Sequence, residues 1–153
     1  MITSYSDFPV VPKENSPGIF LAGPTPRSQE VESWRPKALE ALGSLGYEGV
    51  VYVPEFSSGI MKPNYQDQVE WELQALEIAD IIVFWVPRNL ETMPGFTTNV
   101  EFGYWINSGK ILYGRPEGSP KMSYLDYLYR TKSNKEPHIY LEPLLRDAFD
   151  KVS

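Results

Sequence analysis

Two glutamates in this chain have the type and placement that bond cleavage by a carboxylate pair requires. Glu101 sits at the start of a helical stretch that follows a long loop, Pro87–Thr98, so it faces the end of the preceding apolar run. A negative charge in the first turn of a helix is stabilised by ~0.3–1 kcal/mol, which favours the ionised form that a nucleophile needs. A second reading stands beside the first. Thr98-x-x-Glu101 also has the spacing of a capping box, in which the glutamate merely satisfies a backbone N–H. Glu72 lies on the helical stretch Asn64–Ala79, at the border of an apolar arc made by Tyr65, Val69, Leu73 and Leu76. Partial desolvation there raises a carboxyl pKa and suits a general acid. The plainer reading is a glutamate that reaches water or pairs with a neighbour.

Other residues on these stretches divide in the same way. Asp67, Glu70, Gln74 and Glu77 occupy the outer face of the 64–79 helix and read as solvated. Trp71 and Ile78 interrupt that face with a second apolar stripe, which calls for a second copy of the chain or for cover by the N-terminal residues. Asp80 opens a strand at its amino end and reads as structural. Arg27 and Arg115 flank the opposite edge, placed either to meet a phosphate or hydroxyl or to face solvent. Gly23 follows a strand, but no GxGxxG continues from it, and Pro24 removes a donor that a phosphate cradle would use.

The elements that must position these residues alternate along the chain. Short apolar runs at Gly18–Ala22, Gly49–Val53, Asp80–Val86 and Lys110–Tyr113 read as strands, with another at His138–Leu141. Helical spacing covers Gln29–Leu45 (Val31, Trp34, Ala38, Leu39, Leu42), Asn64–Ala79, Thr97–Ser108, Tyr124–Arg130 and Pro143–Val152. Residues 1–17, rich in Pro, Ser and charge, read as an extended surface arm, and residues 18–153 as one α/β domain. Near-continuous apolar strands between helices mark a parallel sheet covered on both faces. A ligand then sits beyond the carboxyl ends of the strands, where the strand order reverses. That edge is made by Gly23–Arg27, Pro54–Ser57, Pro87–Thr98 and Gly114–Pro116.

Composition narrows the class of function. The 153 residues include no Cys and one His, are 42% hydrophobic and 14% aromatic, and carry a net charge of −6. A folded core is expected, and disulfides, thiol chemistry, a multi-histidine metal site and calcium loops are all disfavoured. Lys and Arg form no basic stripe, so a nucleic-acid polymer is not an expected partner. No apolar run approaches the ~18 residues of a membrane span, and no signal peptide is apparent. The expected compartment is the cytoplasm.

Taken in order, IFLAGPTPR (19–27), WELQALEIADIIVFWVP (71–87) and TTNVEFGYWINSGKILYGRP (97–116) resemble the nucleoside 2-deoxyribosyltransferase family. The resemblance implies a doubly wound, flavodoxin-like domain with a mainly parallel five-stranded sheet. It implies base exchange on 2-deoxyribonucleosides through a covalent glycosyl-glutamate, without metal or organic cofactor. Glu101 matches the family's nucleophile, and Glu72, eight positions before Asp80, matches the carboxyl that protonates the leaving base. Gly23, Pro24, Thr97, Thr98 and Asn99 are then expected around the substrate, with Phe20, Phe56 or Trp85 stacking the base. Many members carry Asp six residues before the nucleophile, where this chain has Gly95, leaving Thr97, Thr98 or Asn99 to take its place. The partners implied are a nucleoside, a free nucleobase and further copies of the chain, with active sites shared through the region of Met122, Tyr124 and Asp126. A nucleoside 5′-monophosphate N-hydrolase, an NAD-cleaving glycohydrolase and a non-catalytic nucleotide-binding module remain the competing readings.

Overall fold

A computed structural model describes residues 1–60 and 64–153. Five strands, β1 (Ile2–Tyr5), β2 (Gly18–Ala22), β3 (Val50–Val53), β4 (Ile81–Trp85) and β5 (Ile111–Gly114), form one parallel sheet in the order β1-β3-β2-β4-β5. Every residue of β2, β3, β4 and β5 is buried, as expected of strands covered on both faces. Alternate side chains divide between two cores. Ile19, Leu21, Val51, Val83 and Leu112 meet α1 (Arg35–Ser44) and α5 (Leu141–Val152) on one face. Phe20, Ala22, Tyr52, Phe84 and Tyr113 meet α2 (Tyr65–Ile78), α3 (Phe96–Trp105) and α4 (Ser123–Ser133) on the other. The central order β3-β2-β4-β5 is that of a flavodoxin-like, doubly wound sheet. Its reversal falls between the carboxyl ends of β2 and β4.

The structure corrects several boundaries. The fifth strand is Ile2–Tyr5, paired in register with β3, rather than His138–Leu141. His138 makes a single parallel bridge to Gly114. Pro137, which lacks an N–H, and the start of α5 at Leu141 leave no room for a longer ladder. Residues beyond β1 run over the α2 side, where Val10 and Val11 pack against the core and the Trp71 indole N–H donates to Phe8 O at 3.0 Å. Trp71 is thus an internal contact, tilted against Phe20 at a centroid separation of 6.3 Å, and the second apolar stripe of α2 is covered by the chain itself. The core face of α2 is Trp71, Ala75 and Leu76, whereas Tyr65 and Leu73 are exposed.

α1 begins at Arg35 rather than Gln29, because Pro36 in its first turn clashes with a helical carbonyl four residues earlier. Among the described residues, no helix is long and apolar enough to cross a membrane.

Candidate active site

The switch point is crowded enough to dictate its glycines. Gly23 leaves β2 with φ +146°, and a Cβ there would lie 2.1 Å from the Trp85 carbonyl oxygen. At the start of α3, Gly95 is left-handed (φ +63°), and a Cβ would approach Pro24 Cβ to 3.1 Å. Glycine suits this left-handed, close-packed position, and position 95 supplies no carboxylate to the site.

Gly95 is also the N-cap of α3, and no side chain caps the helix. Thr98 is the third helical residue, and Glu101 lies in the second turn rather than the first. The capping-box reading therefore fails, and the helix dipole, which fades within the first turn, does little for the charge on Glu101. Instead Glu101 and Glu72 line one cavity of about 230 Å³ at the carboxyl edge, with Gly23, Pro24, Thr97 and Thr98 in its wall. Burial, reinforced by the nearby charge of Glu72 and only partly opposed by Arg35, pushes the Glu101 carboxyl up to about 8. Burial also raises Glu72, against a 3.1 Å hydrogen bond from Gln68 Nε2 and the pull of Arg35.

Other expected site residues lie elsewhere. Phe20 is fully buried in the sheet core, and Trp85 is core as well, so neither can stack a ligand. Asn99 is turned away, its side-chain oxygen taken by the Arg88 guanidinium, which also donates to Lys121 O at 3.1 Å. Phe56 lines a neighbouring groove of about 670 Å³, and Thr25, Arg27 and Arg35 border both spaces. Met122 is buried, Tyr124 is exposed, and Asp126 bonds inward to Tyr113 and Arg115. Asp80 is structural, accepting from Gly18 N–H at 2.8 Å and from Lys13.

The residue that sequence reasoning passed over is Arg35. It is 1% exposed and borders the cavity. Its guanidinium donates to Leu21 O (3.0 Å), Gly23 O (2.7 Å), Thr25 Oγ1 (3.0 Å) and Glu55 Oε2 (3.0 Å). One signal was available: an arginine on the apolar stripe of α1, one turn from Ala38 and two from Leu42.

Fold and site together define a doubly wound α/β domain with an acid pair at its topological switch point. The chain belongs to the nucleoside 2-deoxyribosyltransferase-like family, whose sequence pattern matches residues 16–119. No curated protein matches the chain. The matched span contains β2 to β5 and every residue named above in the wall of the small cavity.

Proposed function

We propose that this protein cleaves the N-glycosidic bond of 2-deoxyribonucleosides and passes the sugar to a second base. The observation that carries this reading is the pair of partly desolvated acids, Glu72 and Glu101, lining one cavity. A Glu101 carboxylate oxygen attacks C1′, the C1′–N bond breaks, and the Glu72 proton goes to the departing base. An acceptor base then attacks C1′, releases Glu101 and returns its own proton to Glu72. Neither step calls for a metal or an organic cofactor.

Burial raises both acids, and the charge of Glu72 further raises Glu101, so the pair readily holds one proton between them. A sugar carbon gaining positive charge stabilises the Glu101 carboxylate and so leaves that proton on Glu72. The pair then works between its two ionisations: with both acids protonated there is no nucleophile, and with both ionised there is no acid.

The sugar is assigned to the small cavity beside Gly23, Pro24, Thr97 and Thr98, and the base to the mouth of the larger groove, near Phe56. Arg27, at the border of both spaces, keeps hydrolysis of a nucleoside 5′-monophosphate as the second reading, because a guanidinium suits a phosphate. Association of copies is placed on the exposed face of α3, where Phe96, Val100 and Tyr104 form a stripe, rather than on α2. A cysteine-free protein acting on soluble nucleosides and bases is assigned to the cytoplasm.

Intact-mass measurement after mixing with a deoxynucleoside tests the reading. One deoxyribosyl unit should add to the wild-type protein and not to Glu101→Gln, and a new nucleoside should form only when an acceptor base is present. Unmodified wild-type protein with no base released would overturn it. Free base appearing without need of acceptor would favour hydrolysis.

A further inference from the structure

Three acids gather around the switch point, and one buried cation stands among them. Glu72 comes from α2 and Glu101 from α3, while Glu55, in the loop after β3, bonds Arg35 directly. Arg35 enters from the start of α1, and Arg27 from the loop after β2. The stretch of the β4–α3 loop that lines the cavity (Pro94 and Gly95) adds no ionisable side chain. The Arg35 side chain is 1% exposed and that of Glu55 is 12% exposed, so water screens their charges poorly.

Arg35 is tied down more fully than stability of its own helix requires. Two of its four acceptors are the carbonyls of Leu21 and Gly23, which bracket the exit of β2. The third, Thr25 Oγ1, lies in the loop that walls the cavity, and the fourth is Glu55, itself held by Ser33 Oγ at 2.8 Å. Only a planar, five-donor fork can serve four acceptors in these directions, and a lysine ammonium cannot.

We propose that Arg35 is a positioning residue for the acid pair. It fixes the loop after β2 as one wall of the site and holds a permanent positive charge beside Glu72 and Glu101, with Glu55 setting how much of that charge reaches them. This rests on the role given above to the pair. Arg35 acts through its neighbours and transfers no proton.

The two roles separate by the sign of their effects. Arg35→Gln removes the cation, so both ionisations of the pair should move up by about one pH unit. Glu55→Gln leaves the cation and removes its neutralising partner, so both should move down. Arg35→Lys keeps the charge and loses the fork, so the ionisations should stay near wild type while kcat/KM falls more than tenfold. Both limbs of the pH profile of kcat/KM report these shifts during base exchange. Titration of ¹³C-labelled glutamate side chains by NMR, with Glu101→Gln and Glu72→Gln assigning the signals, reports them without any substrate. A protein that exchanges no bases would overturn the catalytic reading, yet its carboxyl titrations would still decide the role of Arg35. Ionisations that do not move, or that move the same way in Arg35→Gln and Glu55→Gln, would overturn the proposal. If Arg35→Gln does not fold, the downward shift in Glu55→Gln and the unshifted Arg35→Lys decide it alone.

Discussion

Asp126 and Glu101 are both carboxylates on helices of the same sheet face, and their surroundings drive them in opposite directions. Asp126 is 6% exposed and receives hydrogen bonds from Tyr113 Oη at 2.8 Å and Arg115 Nη2 at 2.8 Å. Burial alone would raise it, but those bonds and the Arg115 charge outweigh burial and hold it below the usual carboxylate range. Glu101 has no hydrogen-bond donor among the described residues. Burial, and then the charge of Glu72 more than that of Arg35, acts on it, and it rises to about 8. A partnered carboxylate is finished as a structural element. One left without donors in a cavity is relieved by a proton or by a ligand, and carboxyls of that kind are the usual candidates for chemistry.

The largest expected effect comes from removing the unpartnered acid. Glu101→Gln should lower turnover in base exchange by about 10⁴-fold or more, the scale seen when a nucleophile is deleted, with the fold intact by circular dichroism. A variant that keeps more than a tenth of wild-type activity would place Glu101 with Asp126 as a structural group. Conversely, Asp126→Ala strands Arg115 and the Tyr113 hydroxyl, and should destabilise the fold by about 3 kcal/mol in urea titration. Activity per folded molecule should persist, and its loss at full stability would erase the contrast from the other side.

The pH dependence of stability is the most specific of these effects. The folded-state pKa of Glu101 lies above its unfolded value, so its contribution to stability is fully present below pH ~4.5 and is lost as pH rises through about 8. Glu101→Gln escapes that loss. Its melting temperature relative to wild type should therefore climb between these limits and level off above them. A difference that stays flat across the range would show that Glu101 titrates as an ordinary glutamate.

Much of this arrangement could be read along the chain. GIFLA, VVYV, IIVFW and ILYG are apolar throughout, and only strands buried on both faces tolerate such runs. Glu101 was recognisable because it follows the long loop after the IIVFW run, and Glu72 because it borders an apolar arc of its helix, although Tyr65 and Leu73 of that arc prove exposed. The face of α2 was not recognisable. Its pattern admits two stripes, and only the N-terminal segment lying over Trp71 makes that indole internal and leaves Leu73 in water. The fifth strand escaped for a related reason, since Ile2–Tyr5 has too little apolar character to declare itself until the edge of β3 offers a ladder.

The sequence by itself determined the parallel α/β layering and the two acids, because periodicity and residue type are local properties that survive without coordinates. Tertiary structure alone decided that Glu101 is uncapped and desolvated, that Phe20 and Trp85 belong to the core, and that Arg35 stands beside the acid pair. These are matters of which groups converge from distant parts of the chain. Electrostatic energy depends on separation and burial, and neither is encoded in the spacing of residues along a strand or helix.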